Sequence, residues 1–130
     1  MQFRLNPAAR ALIEADLLRV LIAGTDAYAE KLVEVLSGPG SGTQWRGNKN
    51  ASSTAGEYPA EQSGDLLGSI GTEVTGPTEV AVGAFNAPAE AFELEFRDPA
   101  AGGRPWLSKS AEDPAFHQAL EAAIQRAALE

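Results

Sequence analysis

The sequence predicts an α+β domain, because two long segments carry the spacing of amphipathic helices and the segment between them carries the alternation of strands. Apolar residues recur every three or four positions over residues 9–36 and again over residues 116–129, which is the period of a helix that buries one face. Over residues 70–85 they alternate instead, as in strands. We therefore predict one domain over residues 1–130: a long N-terminal helix, a long flexible loop, a short helix, a small antiparallel sheet of three or four strands, and a C-terminal helix.

The first helix has clear start and stop signals. Asn6 is a preferred N-cap, and Pro7 loses no hydrogen bond at the first helical position. The Ser-Gly-Pro-Gly of residues 37–40 ends the pattern. Gly24 lies in the middle of the stripe, where it weakens the helix by about 1 kcal/mol relative to alanine. We expect one unbroken helix, with either a bend or the close approach of a partner's backbone at Gly24.

Residues 37–62 show neither the period of a helix nor the alternation of a strand. Glycine, serine, asparagine, threonine and alanine dominate there, so the segment has too little apolar surface to offset the entropy of ordering. We expect it to be a flexible loop that does not pack alone, and loops of this length are commonly functional. Ser63 is the predicted cap of a short helix, with Asp65 near the positive end of the helix dipole.

Strand patterns follow this short helix. Residues 70–75 and 79–85 read as two strands joined by the turn Gly76-Pro77-Thr78. Phe92, Leu94 and Phe96 alternate with charged residues and predict a third, half-buried strand. Asp113 followed by a proline predicts the start of the last helix.

The composition excludes several classes of site. The chain has no cysteine and one histidine, His117, which excludes disulfides and thiol nucleophiles and leaves little for a metal site. The net charge of −8 opposes general binding to nucleic acid. The apolar positions near the N-terminus are interrupted by charges, so we expect no signal peptide and no membrane span, and we expect the chain to stay in a cytoplasm unless it is assembled elsewhere.

Few residues suggest catalysis. Glu93 and Glu95 share a face of the predicted third strand, and such a pair can do acid–base work if burial raises one pKa; a solvated strand face is the simpler interpretation. Glu112 and Asp113 with His117 could hold a metal, although Asp113 is also expected to cap the last helix. The glycines of residues 38–42 lack the lysine of a phosphate loop. We expect no enzymatic activity, no metal and no cofactor.

Two tryptophans are candidates for contacts. Trp45 lies in the loop beside Arg46 and near Lys49, and such a group can anchor a partner or stack on bases; packing back onto the body is the alternative. Trp106 follows Arg104 and a proline; it is a further candidate for the interface, and packing in the core or at a hinge is the expectation we favour.

A series of motifs resembles one known family over essentially the whole chain. The matching stretches are Trp45-Arg46-Gly47, residues 51–60, residues 63–70, Gly83, Asn86-Ala87-Pro88, Glu95-Phe96 and Arg104-Pro105-Trp106-Leu107. In this order and spacing they resemble the small tail-completion, or head–tail connector, proteins of long-tailed double-stranded DNA phages. The chain departs from the family pattern at Ala89, Arg97-Asp98 and Gln62, which affects the expected loop geometry after the third strand.

The resemblance implies a structural protein of the virion, found in the host cytoplasm during assembly. Such proteins form a ring, usually six-fold, at the head–tail junction, where they contact a head-closure or connector protein and a tail tube or tail terminator protein. The ring surrounds the path of the DNA, which it contacts only non-specifically, and no membrane is involved. A chain of this kind could be a monomer in solution and a hexamer once assembled.

This resemblance also implies interface residues. A loop that does not fold alone can order against neighbouring subunits, with Trp45 as the buried anchor and Tyr58 and Pro59 as apolar contacts. Glu93 and Glu95 could meet the Arg104 or Lys109 of the next copy, since a ring needs contacts between two different patches.

Two other functions remain open at this stage. The chain could be a soluble adaptor module that binds one protein partner through residues 37–62. It could also be a small hydrolase that uses Glu93 and Glu95.

Overall fold

The fold is a long helix packed along a shorter C-terminal helix, with a two-stranded hairpin and short helices around one end. It was obtained as a computed structural model that describes residues 2, 4–46, 48–60, 62, 64–86 and 89–130. The predicted cap Ser63 and residues 47, 87 and 88 of the family motifs lie outside the described residues. The elements are α1 (Pro7–Ser37), α2 (Asp65–Ser69), β1 (Ile70–Gly76), β2 (Glu79–Ala84), α3 (Ala89–Phe96), a 3₁₀ turn (Pro99–Ala101), α4 (Leu107–Glu112) and α5 (Pro114–Ala128).

Both long helices begin where the sequence predicts. The Asn6 side chain accepts a hydrogen bond of 2.8 Å from the Ala9 amide at the start of α1. The Asp113 side chain likewise accepts one of 2.9 Å from the Ala115 amide at the start of α5. In each helix a proline follows the cap, so the lost amide is one that no helical carbonyl would have accepted.

The helices α1 and α5 run antiparallel and cross closely at Gly24. Arg19 Nη1 donates a hydrogen bond of 2.7 Å to the Ala127 carbonyl, whereas the rings of Tyr28 and Phe116 lie 4.9 Å apart further along both helices. A Cβ atom on Gly24 would lie 2.7 Å from Ile124 Cγ1. The predicted unbroken helix is confirmed over its 31 residues, and the close approach at Gly24 comes from α5 of the same chain.

The core lies around the second half of α1. Leu32, Leu36 and Phe116 are fully buried, and Trp106 and Leu66 nearly so. These side chains come from four helices, α1, α2 and α5 together with the start of α4, so the core joins elements far apart in sequence. Within the portion of the chain that the structure describes, no helix is both long enough and apolar enough to cross a bilayer.

The sheet has two strands, so the expected third or fourth strand is wrong for the residues described. The strands β1 and β2 pair antiparallel, with Thr72 opposite Val82. The segment predicted as the third strand is the helix α3. Its residues favour a helix locally: the rings of Phe92 and Phe96 lie 4.7 Å apart, tilted by 46°, and Glu93 pairs with Arg97 at 3.0 Å, both at the (i, i+4) spacing that a helix brings together.

Candidate assembly surfaces

Glu93 and Glu95 do not form a carboxylate pair. On the helix α3 they point in different directions, because residues two apart lie on opposite sides of a helix. Glu93 is exposed and pairs with Arg97. The carboxylate of Glu95 accepts three hydrogen bonds of 2.8, 3.0 and 2.9 Å from the backbone amides of Trp106, Leu107 and Ser108. Glu95 is therefore the N-terminal cap of α4, and the expected acidic face shared with Glu93 is wrong.

The electrostatics of Glu95 fit this capping role. Partial burial acts to raise the pKa of its carboxyl group, but the hydrogen bonds from the Ser108 side chain and the three backbone amides outweigh that effect. The pKa of Glu95 is therefore lowered from its usual value. An acid–base catalyst at neutral pH needs a raised pKa instead, so this carboxylate is tuned for holding backbone amides.

In the candidate metal site around His117, the side chains of His117 and Asp113 also bond within the chain. His117 Nε2 lies 2.6 Å from the carbonyl oxygen of Ala111. Asp113 caps α5 and accepts a hydrogen bond of 2.8 Å from the Tyr58 hydroxyl. Among the described residues no three histidine or acidic side chains lie close enough to share a metal ion.

The loop of residues 37–62 is held in a defined shape by backbone pairing and by Glu57. The amides of Gly40 and Gly42 donate to the carbonyls of Ala51 and Ser52 at 2.9 and 2.7 Å, so residues 40–42 lie beside residues 51 and 52. Oε1 of Glu57 accepts hydrogen bonds from the backbone amide and hydroxyl of both Thr54 and Ser41. These bonds, the Thr54 hydroxyl first among them, lower the pKa of Glu57 to about 2.

The end of this loop packs against its own chain, which corrects the expectation that it does not pack alone. Tyr58 lies against the core at a ring distance of 6.1 Å from Phe116, and Pro59 is buried. Burial and the hydrogen bond to Asp113 raise the pKa of the Tyr58 hydroxyl. The Nζ of Lys109 lies 4.4 Å from the centre of the Tyr58 ring and donates to the Gly56 carbonyl. The side chains of Tyr58, Pro59 and Lys109 therefore contact groups of their own chain.

The side chain of Arg104 also bonds to groups of its own chain. Its guanidinium donates to the hydroxyl and the carbonyl of Ser53, each at 3.2 Å, and to the carbonyl of Pro99 at 3.0 Å. It thus ties the loop to the 3₁₀ turn. The expected contact of Arg104 or Lys109 with Glu93 and Glu95 of a neighbouring copy is not supported, because Glu95, Arg104 and Lys109 all bond to groups of their own chain. Trp106 packs in the core, where it is 2% exposed and its indole donates to the Ala91 carbonyl at 3.0 Å, so it is not available as an interface residue.

Among the described residues, three exposed surfaces are candidates for contacts with other proteins. The first is the loop tip, formed by Trp45, Arg46 and Lys49. Trp45 is 60% exposed, and both bases are exposed beside it. Of the two interpretations left open by the sequence, the geometry favours a tryptophan that faces outward over one that packs back on the body.

The second surface is the N-terminal arm, which we define as residues 7–18 of α1. Near the end of α5, the Ala127 carbonyl accepts a hydrogen bond from the side chain of Arg19 on α1. Residues 7–18 lie on the N-terminal side of this bond and span about 18 Å at 1.5 Å per residue. Ile13 and Leu17 continue the face that packs on α5 at Gly24 but are about half exposed, and Leu12 is 74% exposed.

The third surface is the α3 groove, a depression of about 520 Å³ between α3 and α4. Phe92 and Phe96 project from one wall with 67% and 70% of their surface exposed. Sequence reasoning missed this site because it placed the two rings on the inner face of a strand. The signal that could have revealed it is their (i, i+4) spacing. The residues that define the groove here are Ala91, Phe92, Phe96, Trp106, Leu107 and Ala111.

The comparisons with known proteins gave no match: no protein-family model, no curated protein and no solved structure matches this chain.

Proposed function

We propose that this chain is a structural assembly protein of a long-tailed double-stranded DNA phage, and that copies of it form a ring where the tail meets the head. The observation that carries the proposal is the presence of two different uncovered apolar surfaces, the N-terminal arm and the α3 groove, on one small chain. A cyclic ring is built from heterologous contacts, in which one patch fits a different patch of the neighbour.

The exposed apolar residues are grouped, which is why they support an interface. A single exposed leucine is ordinary on a protein surface, whereas contiguous apolar patches mark sites of interaction. The arm presents Leu12, Ile13 and Leu17 within two turns of one helix, and the groove presents Phe92 and Phe96 as two rings in contact. Burying such rings and branched side chains is a typical source of binding energy at protein interfaces.

The resemblance of the motifs to tail-completion proteins supports the place of assembly. In this proposal the ring contacts a head-closure or connector protein on one side and a tail tube or tail terminator protein on the other. The loop tip is the candidate contact with one of these partners, because Trp45 is exposed on a loop held by Glu57. The net charge of −8 would let DNA pass through the ring without strong binding.

The test is electron microscopy of particles made without this protein. The gene is deleted from the phage or prophage that carries it, and a plasmid copy restores it as the control. We expect DNA-filled heads separate from tails, with joined virions returning on complementation. Normal infectious virions in the deletion lysate would rule out a role at the head–tail junction. Neighbouring genes for a portal, a major capsid protein and a tail tube would further support the proposal.

A second candidate function is an adaptor that binds one protein through the loop tip. The exposure of Trp45 between flanking polar residues favours it, because a tryptophan in such a position commonly acts as an anchor. The adaptor predicts a monomer whose binding is lost in Trp45→Ala and unaffected by Leu12→Ser or Phe92→Ser. The ring predicts that the latter two variants impair assembly.

A further inference from the structure

The N-terminal arm has the pattern of a helix that fits into a groove. Ala9, Ile13 and Leu17 lie four residues apart along one side, and Leu12 lies beside Ala9 at three residues. Helices that dock in hydrophobic grooves are recognised through anchors at this spacing. The arm belongs to a continuous helix whose second half is fixed in the core at Leu32 and Leu36, so its anchors are presented on a rigid element.

The α3 groove offers a matching surface. Its walls are α3 on one side and the start of α4 on the other, and Phe92 and Phe96 stand on its rim. The two walls are held together by the Glu95 carboxylate on the amides of α4 and by the indole of Trp106 on the Ala91 carbonyl. A groove whose walls are fixed in this way loses little conformational entropy when it is filled.

The arm does not reach the groove of its own chain. Ala111 in the groove follows Ser110, whose hydroxyl lies 2.6 Å from the Tyr28 hydroxyl. The groove is therefore level with Tyr28, and Ile13 is separated from Tyr28 by fifteen residues of unbroken helix. That separation is about 22 Å along the axis of α1. An arm that occupies the groove must come from another copy.

The residues at the start of the arm are complementary in charge to the groove wall, whereas the whole arm, residues 7–18, carries Arg10 against Glu14 and Asp16. Residues 4–13 carry Arg4 and Arg10 and no carboxylate. Arg10 is paired with Glu14, but both are on the surface, and such a pair is readily replaced. The segment of the groove wall, residues 89–98, has a net charge of −3. Its charged residues are Glu90, Glu93, Glu95 and Asp98 against Arg97. Opposite potentials of this kind steer the encounter and set its register.

We propose that the N-terminal arm of one copy docks in the α3 groove of the next copy. This inference rests on the proposed function and names the two surfaces that would join the ring. The contact is heterologous, so each copy has one arm to give and one groove to fill, and repetition generates a ring if the rotation closes. Ile13 and Leu17 contact Phe92 and Phe96, and Arg4 and Arg10 face the acidic rim.

Disulfide trapping tests the pairing directly, because the natural chain has no cysteine. Ile13→Cys or Leu17→Cys protein is mixed with Phe92→Cys or Phe96→Cys protein at about 1 mM, where a contact of millimolar Kd is formed by about a third of the chains, and the mixture is oxidised. We expect a disulfide between arm and groove in at least one of the four mixtures, since Cα atoms of contacting residues come within bridging distance. The matched control is Lys49→Cys at the loop tip mixed with Phe92→Cys, where we expect none.

The trapping experiment has outcomes that overturn the proposal. Folded proteins that yield no arm-to-groove disulfide in any mixture rule out a second copy as the occupant of the groove. Disulfides that form only between two arm cysteines, or only between two groove cysteines, show a symmetric contact and equally overturn it. Folding is checked by circular dichroism, and the replaced side chains are at least half exposed on average, so the variants should retain the fold.

Sedimentation provides a second, independent readout. Leu12→Ser and Phe92→Ser should each weaken self-association by roughly ten- to a hundredfold, the effect of removing one buried apolar side chain. Val74→Ser, exposed on β1, is the matched control and should not. A mixture of Leu12→Ser with Phe92→Ser retains one intact junction per pair and should therefore stop at dimers. A mixture that behaves like either variant alone contradicts a heterologous contact.

Different results would contradict the head–tail role and the arm-in-groove contact. Separated heads and tails in the deletion lysate together with a failed trapping experiment would leave the head–tail role in place and remove the arm-in-groove contact. Normal virions together with a trapped contact would leave a self-assembling protein of another function.

Discussion

The carboxylate of Glu95 on α3 accepts a hydrogen bond of 2.8 Å from the backbone amide of Trp106. It also accepts hydrogen bonds from the next two amides of the chain. A helix of six residues, α4, therefore has its first amides satisfied by a side chain from another helix. Orphan amides at a helix start must be bonded by a cap, water or ligand. Glu95 thereby fixes both walls of the α3 groove with one group.

Replacing Glu95 should weaken the fold. Glu95→Ala leaves three amides without this partner and should lower the free energy of unfolding by about 1 to 3 kcal/mol. Because the folded pKa of Glu95 lies below its usual 4.5, its contribution is present above pH 4.5 and is lost as the pH falls through the folded value. Urea unfolding at a series of pH values from 7 downward measures both effects. Glu93→Gln is the control and should change stability by less than about 0.5 kcal/mol; equal losses for both variants would contradict the capping role.

The pKa of Glu57 should lie far below the usual value of a glutamate. We expect its carboxyl carbon to report a pKa of about 2 by NMR, because the hydroxyls and amides of Thr54 and Ser41 favour the charged form. The loop then keeps this support above pH 4.5, the usual pKa, and loses it as the pH falls toward 2. Thr54→Ala and Ser41→Ala should each move the midpoint upward. A midpoint near 4.5 in the natural chain would show that the loop is not held by this group.

Adding one methyl group at the helix crossing, by Gly24→Ala, should destabilise the fold. A Cβ atom there would lie 2.7 Å from Ile124 and 2.8 Å from Leu120, and overpacking of this kind costs about 1 to 3 kcal/mol. Alanine is more favourable than glycine in a helix by about 1 kcal/mol. Gly24→Ala should therefore lower the free energy of unfolding by about 1 kcal/mol net. Gly68→Ala is the control, because no described atom lies within 4 Å of the added Cβ, and it should be neutral or stabilising. Denaturant unfolding distinguishes them; a Gly24→Ala protein more stable than the natural chain would contradict the close crossing.

The two tryptophans should differ sharply in their effect on stability. Trp106 is 2% exposed and bonded to Ala91, so Trp106→Ala should cost about 3 to 5 kcal/mol. Trp45 is 60% exposed, so Trp45→Ala should change stability by less than about 0.5 kcal/mol. Thermal unfolding followed by circular dichroism checks both. A large loss in Trp45→Ala would place that side chain in the packing of the body instead of on a binding surface.

Local signals predicted most of the fold. The Asn6 and Asp113 caps, each followed by proline, are where the structure has them, because capping depends on a few adjacent residues. The β1–β2 hairpin lies within one or two residues of its predicted bounds. The third strand is wrong because three alternating apolar residues, Phe92, Leu94 and Phe96, fit two periods, and helix-forming neighbours with (i, i+4) pairs decided between them.

The candidate surfaces could be predicted only in part. Trp45, Arg46 and Lys49 were identified by composition and are exposed together. Tyr58, Pro59, Arg104 and Lys109 were assigned to an interface but contact their own chain, because their partners are more than fifty residues away in sequence or lie in the folded core. No local pattern reveals such pairings.

The sequence by itself determined the helix starts, the hairpin, the long amphipathic stripe and the charges, since each depends on neighbouring residues and their period. Only the tertiary structure decided which part of that stripe is covered. The helix α5 lies along α1 from Arg19 onward and leaves Leu12, Ile13 and Leu17 exposed. It also decided that Glu95 is a cap and that Phe92 and Phe96 border a groove, because burial and bonding depend on which distant elements meet in space.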